Sequence, residues 1–308
     1  MDSLVSSAIS IDDDAAELLI EYKKGKYVSV SIKLNGLTDI TENSAKSFAK
    51  FNGGIYLNGL TNPSIKVAKA LAKHRKDQKL YLNGITSISE SILIEIGKHK
   101  GPLSLNGLCD ISDNFAEFLS TNHLYGALYL NGLTKLSDGA AKAFSKRYMY
   151  GRNCSLHLNG LTNLSDTAAE MLSTSENQSI YLNGLKKLSP HAAKNLAKSN
   201  ISLTLDGLRE IDYATALELG KYQVSLSLNG LESITDEAFE ALSKMPGYMT
   251  LDGLADLTPR AADSLVKYYQ KSISLHGLTN ESIIVRTLAR CLLSHAACKR
   301  LEIQTAGS

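Results

Sequence analysis

Residues that could carry out chemistry are scattered along this sequence of 308 residues. The seven histidines have no metal-ligand spacing to one another, and Cys109, Cys154, Cys291 and Cys298 have neither metal nor disulfide spacing. No phosphate-binding loop, zinc signature, nucleophile elbow or dinucleotide fingerprint occurs. The sequence therefore predicts a protein that is not an enzyme, with no metal ion and no cofactor. Four scattered cysteines suit a reducing compartment.

Composition and charge exclude several classes of protein. The chain is 44% hydrophobic and 21% charged, which is typical of globular proteins, and its net charge is +2. So small a charge provides no strong field for nucleic acid or an anionic membrane. The start, MDSLVSSAIS, has no basic segment or long apolar core typical of a secretory signal. We expect a cytoplasmic protein, or one exported without a Sec-type signal, with no nucleic-acid or membrane partner.

One phrase, LxLNGL, recurs every 23 to 28 residues along almost the whole chain. A period of this length predicts a solenoid, in which each repeat buries its apolar face against its neighbours. The fourth residue of the phrase is Asn35, Asn58, Asn83, Asn106, Asn131, Asn159, Asn183, Asp206, Asn229, Asp252 and His276.

Each repeat predicts a strand, a turn and a helix in that order. Leu103 and Leu105 alternate with a polar residue, as in a half-buried strand. The Asn-Gly pair that follows predicts a turn, since glycine adopts a positive φ at little cost. A good N-cap residue then begins each helix, namely Thr41, Asn62, Ser89, Ser112, Ser137, Ser165, Ser189, Asp212, Thr235, Thr258 and Asn280. Pro63, Pro190 and Pro259 come one residue later, where a helix tolerates proline.

The consensus LxLxxLxx(I/L)(S/T)DxAAxxL resembles the leucine-rich repeat family, especially its cysteine-containing subtype and bacterial members. The resemblance implies an α/β fold, a curved solenoid of about eleven repeats with a concave parallel sheet and convex helices. We expect one domain over residues 1–308, with an N-terminal helical cap at 1–27, repeats at 28–280 and a C-terminal helix and strand at 281–308. The asparagine lies closer to the strand than in the family, so the family's buried asparagine ladder is not implied. The row of asparagines either links neighbouring repeats or satisfies its own turns.

The residue between the two strand leucines is expected to face the concave side. This row begins at Lys33 and becomes mainly aromatic between Tyr56 and Tyr181. Tyrosines among small neighbours favour recognition, and we predict a partner-binding patch formed by Tyr56, Tyr81, Tyr129, His157 and Tyr181. The alternative is an ordinary sheet surface, on which such side chains only stabilise the strands.

Insertions lengthen the three repeats that precede Tyr81, Tyr129 and His157. They comprise His74-Arg75-Lys76, Asn122-His123 and the segment 146–152. Insertions in solenoids often lie beside the binding face, so we expect these loops to rim the patch. The partner-binding residues predicted in the longest loop are Arg147, Tyr148, Tyr150 and Arg152.

Together these patterns favour a monomeric, non-catalytic module that binds a protein partner on its concave face. A carbohydrate-binding protein and a purely structural or self-assembling repeat protein remain alternatives. A regulatory effector that acts on a host protein is a further one.

Overall fold

A computed structural model describes residues 8–24, 31–122, 126–146, 154–175, 179–268, 272–279 and 300–302. The chain divides into two compact units, Met1–Leu158 and Asn159–Ser175 with Ser179–Ser308, called here the first and second units. The predicted boundaries at residues 27 and 280 lie outside the described residues. The organisation as a single domain therefore remains a prediction.

In the first unit, helices and strands alternate along the described chain. The helices are α1 (Asp13–Lys24), α2 (Glu42–Ala49), α3 (Ile65–Leu71), α4 (Glu90–Gly97), α5 (Asp113–Asn122) and α6 (Asp138–Ser145). The strands are β1 (Ile32–Lys33), β2 (Ile55–Tyr56), β3 (Leu80–Tyr81), β4 (Leu103–Ser104), β5 (Leu128–Tyr129) and β6 (Ser155–His157). Each strand from β1 to β5 pairs in parallel with the next one in sequence.

The second unit repeats this alternation. Its helices are α7 (Asp166–Ser173), α8 (Pro190–Leu196), α9 (Tyr213–Leu219), α10 (Asp236–Ser243) and α11 (Pro259–Tyr268). Its strands are β7 (Ser179–Tyr181), β8 (Ser202–Thr204), β9 (Ser225–Ser227), β10 (Tyr248–Thr250), β11 (Ser272–Ser274) and β12 (Arg300–Glu302). They also pair in parallel in sequence order. The expected C-terminal helix near 281–294 and Asn280 lie outside the described residues.

The leucines of each repeat form the core, as the LxL pattern predicts. In β4 and the turn that follows it, Leu103 and Leu105 are fully buried. Adjacent strands pair without a register shift, so that Tyr56 lies opposite both Lys33 and Tyr81. The architecture expected of a leucine-rich repeat protein, parallel strands in sequence order alternating with helices, is confirmed in each unit. No described helix is long and apolar enough to cross a membrane.

Most of the predicted N-caps are confirmed. The Ser137 hydroxyl accepts a hydrogen bond of 3.0 Å from the backbone N–H of Ala140, and seven other predicted caps accept the equivalent bond. Ser89 occupies its predicted cap position but accepts no such bond. The prediction at Asn62 and Pro63 was wrong, because α3 begins two residues later, with Ser64 as its cap.

Neighbouring helices are linked through these caps. The acidic first residue of one helix accepts a hydrogen bond from the cap hydroxyl of the next helix in sequence. Such a carboxylate also lies at the positive end of its own helix dipole. Within the units the linked pairs are Asp13 with Thr41, Glu90 with Ser112, Asp113 with Ser137, Asp166 with Ser189, and Asp236 with Thr258.

The row of asparagines links one repeat to the next. The side-chain oxygen of Asn83 accepts a hydrogen bond of 3.0 Å from the backbone N–H of Asn106, its equivalent in the following repeat. The same bond joins Asn58 to Asn83 at 3.1 Å and Asn106 to Asn131 at 2.9 Å. Asp206 and Asp252 make it in the second unit, to the equivalent residues that follow them. Of the two interpretations, the link between repeats is therefore correct. The link requires only a side-chain oxygen that accepts the bond, because Asp makes it as well as Asn.

The glycine of the Asn-Gly pairs is needed for close packing of the turns and not for a positive φ. Among the described glycines only Gly126, which is not in an Asn-Gly pair, has a positive φ. A Cβ at Gly132 would lie 2.2 Å from the backbone oxygen of Asn106, and one at Gly107 equally close to that of Asn83. The expectation of a positive φ was therefore wrong. Glycine is required because successive turns stack too closely for any side chain.

Candidate interaction surface

Parallel pairing places three tyrosines and a histidine in one row across β2 to β6. We call Tyr56, Tyr81, Tyr129 and His157 the aromatic row. All four are half-buried. The rings of Tyr56 and Tyr81 stack with centroids 4.1 Å apart and planes within 7°. Those of Tyr129 and His157 stack at 4.2 Å and 23°.

Ser104 explains how the row continues across β4. This serine lies between Tyr81 and Tyr129 in the strand order and is only 1% exposed. Two strands apart, rings standing upright would be about 9.6 Å from each other, yet these centroids are 6.3 Å apart. The two rings therefore lean towards each other over the small serine. Its hydroxyl donates a 2.7 Å hydrogen bond to Oδ1 of Asn83.

Burial shifts the pKa of two groups in the row. Burial lowers the pKa of His157 to about 4, and the Ser155 hydroxyl lies 2.9 Å from its Nε2. Burial, with the neighbouring Tyr56 and Tyr129, raises the pKa of Tyr81 above its ordinary value. At neutral pH His157 is therefore a neutral imidazole and Tyr81 a neutral phenol.

Lys33 extends the row at its β1 end. Its Nζ lies 5.7 Å from the centroid of the Tyr56 ring, within the range of a cation–π contact. The sequence contained this residue in the same row, but the predicted site did not include it. Lys33 occupies the same position in its repeat as Tyr56 and Tyr81 do in theirs, so the repeat pattern could have identified it as part of the site.

The other predicted contact residues belong to the second unit or lie outside the described residues. Tyr181 lies on β7 in the second unit, half-buried and opposite Thr204. Arg147, Tyr148, Tyr150 and Arg152 lie outside the described residues, as does His123.

His74 does not rim the row as expected, because it is 3% exposed and its Nε2 lies 3.0 Å from the Gly53 carbonyl oxygen. Its ring stacks on that of buried His99, with centroids 5.8 Å apart. Burial lowers the pKa of His74, and burial beside His74 lowers that of His99 to about 4. The insertion therefore supplies a packing residue at this point.

A second cluster combines serine, histidine and aspartate, the residue types of a catalytic triad. Ser274 donates a 2.5 Å hydrogen bond to Asp252 and lies 3.3 Å from Nδ1 of His276. The Asp252 carboxylate is 3.8 Å from the same Nδ1. A catalytic triad needs the carboxylate on one ring nitrogen and the hydroxyl on the other. This arrangement therefore does not activate the serine.

Among the described residues, no three His, Cys, Asp or Glu side chains are placed to hold a metal ion. No protein-family model matches the sequence, and no curated protein has significant similarity to it.

Solved structures similar to the chain include the following two. One is the Rad7–Elc1 complex of yeast, with a TM-score of 0.47 and 14% identity, covering 97% of this chain and 79% of the other. The other is an internalin (inlF) of Listeria monocytogenes, with a TM-score of 0.47 and 16% identity, covering 100% of this chain and 94% of the other. Both scores are below 0.5, so the fold assignment rests on the strands and helices of this chain.

Proposed function

We propose that the protein is a non-catalytic interaction module that binds a protein partner through the aromatic row. The observation that carries the proposal is the row itself, in which four half-buried rings lie side by side on the strands. Rings fixed by stacking lose little conformational entropy on binding, and tyrosine combines apolar area with a hydrogen-bonding hydroxyl. The proposal includes Tyr181 and the loop residues Arg147, Tyr148, Tyr150 and Arg152 as further contacts, and a monomeric protein.

The stacking also favours a protein partner over a carbohydrate. Sugars bind aromatic side chains mainly through the open face of a ring, against which their apolar C–H groups pack. The faces of Tyr56 and Tyr81 turned towards each other are covered, as are those of Tyr129 and His157. What remains accessible is chiefly ring edges and hydroxyls, which suits a polypeptide. A glycan array that gave binding dependent on Tyr81 and Tyr129 would favour the carbohydrate alternative.

Capture from a lysate of the source cells, with chemical cross-linking, tests the proposal. The bait proteins are the wild type, the double variant Tyr81→Ser with Tyr129→Ser, and Tyr213→Ser as a matched control. Tyr213 is on helix α9 and 53% exposed, so its replacement removes a surface tyrosine that is not on a strand. We expect a protein that is captured by the wild type and the control but lost with the double serine variant.

Stability must be separated from binding, because each stacked pair contributes about 0.5–1.5 kcal/mol. A further variant, Tyr81→Phe with Tyr129→Phe, keeps the rings and removes only the hydroxyls. If the serine variant is folded by circular dichroism and captures the same proteins as the wild type, the aromatic row is an ordinary sheet surface. If the serine variant loses a captured protein, the phenylalanine variant shows whether the hydroxyls contribute to that binding. Light scattering over a concentration series tests the self-assembling alternative.

A further inference from the structure

We propose that the strand face of the first unit selects an extended peptide segment that carries carboxylate groups. This inference rests on the proposed function and names the chemistry of the partner. It is carried by the distribution of charge over the strand face and by the position of two lysines beside the stacked tyrosines.

The strand face has no negative charge of its own. Its outward positions alternate with the buried leucines and are occupied by Ser31, Lys33, Asn35, Gly54, Tyr56, Asn58, Lys79, Tyr81, Asn83, Pro102, Ser104, Asn106, Ala127, Tyr129, Asn131, Ser155 and His157. Two of these residues are charged and both are lysines. Asp and Glu occur in this unit only away from these positions. Across the corresponding face of the second unit, by contrast, Asp206 and Asp252 interrupt the asparagines.

Both lysines lie close to the tightest stack of the row, at its Tyr56 end. Lys33 lies over the Tyr56 ring, with Nζ 5.7 Å from the centroid. Lys79 comes two residues before Tyr81, and its Cβ lies near the Tyr56 ring, because a Cβ placed at Gly54 would be 3.6 Å from that ring and 3.7 Å from the Cβ of Lys79. Both lysines are exposed, and within the described part of the chain neither forms an ion pair. Gly54 itself is buried, and the Ser31 hydroxyl also lies close to it, 3.1 Å from the same Cβ position.

The hydrogen-bonding groups of the row fit the same partner. Tyrosine hydroxyls can donate hydrogen bonds, and carboxylates are the strongest acceptors that proteins offer. His157 adds no positive charge, because burial lowers its pKa to about 4. The positive potential is therefore concentrated near Lys33 and Lys79, at the β1–β3 side of the face. A partner should place its acidic residues there and apolar or polar residues towards His157.

The dimensions fit a peptide of moderate length. Lys33 on β1 and His157 on β6 are separated by five strand spacings, or about 24 Å. An extended chain covers that distance with about seven residues. A single-stranded nucleic acid is also anionic, but it binds by stacking its bases on open ring faces and by many phosphate contacts. The stacked rings of this face leave few open ring faces for bases, and its two lysines are too few for many phosphate contacts.

Display of random peptides of about twelve residues on the full-length protein tests the inference. Selections are run in parallel on the wild type, on the charge-reversed variant Lys33→Glu with Lys79→Glu, and on Tyr81→Ser with Tyr129→Ser. Lys135→Glu with Lys142→Glu is the control for net charge, because these lysines lie outside the strands. We expect wild-type peptides to be enriched in Asp and Glu, and those selected on the charge-reversed variant to be enriched in Lys and Arg.

Affinities of individual peptides give the second readout. A selected acidic peptide should bind the charge-reversed variant at least about tenfold more weakly, and the control variant unchanged. Its affinity for the wild type should also fall with increasing salt.

The outcomes separate the two proposals. Peptides that require Tyr81 and Tyr129 but show no acidic enrichment, or are insensitive to charge reversal, would overturn the inference and leave the proposed function standing. No enrichment over the tyrosine variant would overturn both. Fluorescein-labelled oligothymidylate serves as the nucleic-acid probe, and binding as tight as that of the best peptide would replace the inference with a nucleic-acid surface.

Discussion

Replacement of Asn83 offers the most direct test of how successive repeats are held together. Its Oδ1 accepts two hydrogen bonds from the following repeat, one of 3.0 Å from the backbone N–H of Asn106 and one of 2.7 Å from the Ser104 hydroxyl. Asn83→Ala removes both and leaves one buried donor, the Ser104 hydroxyl, and one half-buried donor, the Asn106 N–H, without this partner. At about 1 kcal/mol net for each bond, we expect a loss of about 2 kcal/mol in the free energy of unfolding.

The chain itself provides the rescue variant. Asp206 and Asp252 occupy the equivalent position and accept the same pair of bonds, at 2.6 and 2.9 Å and at 2.5 and 2.9 Å. Asn83→Asp should therefore cost less than about 0.5 kcal/mol. Asn35→Ala is the matched control, because Asn35 is exposed and accepts a single bond of 3.3 Å, and it should cost equally little.

Urea unfolding followed by far-UV circular dichroism measures these differences, since the chain has no tryptophan. A loss of about 2 kcal/mol in a unit of this size corresponds to a melting temperature lower by about 4–8 °C. Hydrogen exchange of the Asn106 amide should also accelerate in the alanine variant. If Asn83→Ala leaves the midpoint unchanged, or if Asn83→Asp is as damaging as alanine, the acceptor is not what joins the repeats.

Three further predictions concern the caps, the turns and the buried imidazoles. Ser137→Ala should lower the free energy of unfolding by about 1–2 kcal/mol, and Ser89→Ala by less, because only Ser137 accepts a capping bond; equal midpoints in urea would contradict the assignment. Gly132→Ala should cost more than about 2 kcal/mol, since its Cβ would lie 2.2 Å from the Asn106 oxygen, and a folded variant with an unchanged melting temperature would refute this. The pKa of His99 is about 4 in the folded state and 6.5 ordinarily, so the unfolded state binds its proton first and stability should fall from pH 6.5 to 4, by up to about 1.4 kcal/mol per unit. His99→Phe should reduce that slope in urea titrations, and an identical slope would show that other groups cause it.

The repeat pattern was sufficient to predict the order of the elements, because it is a local property repeated many times. Apolar alternation over two or three residues defines each strand, and a capping residue defines the start of most helices. The cap at Asn62 shows the limit of this reasoning. Asn62 and Ser64 are both good caps, and the position of α3 against its neighbours favours the second.

The reason for the glycines could not be read from the sequence. An Asn-Gly pair is consistent with a positive φ and equally with close packing. Only the distance between Gly132 and the preceding turn distinguishes them. The place of His74 likewise depended on the space available after helix α3, which an insertion changes without any local signal.

By itself the sequence determined the repeats, the parallel order of the strands within each unit and the row to which the tyrosines belong, because register follows from a side-chain period of two. Tertiary structure decided how those side chains meet. Whether Tyr81 and Tyr129 stand apart or lean over Ser104 depends on the size of a residue between them and on the spacing of three strands. Contacts between residues about 25 positions apart are set by packing, and packing is a property of the whole repeat array.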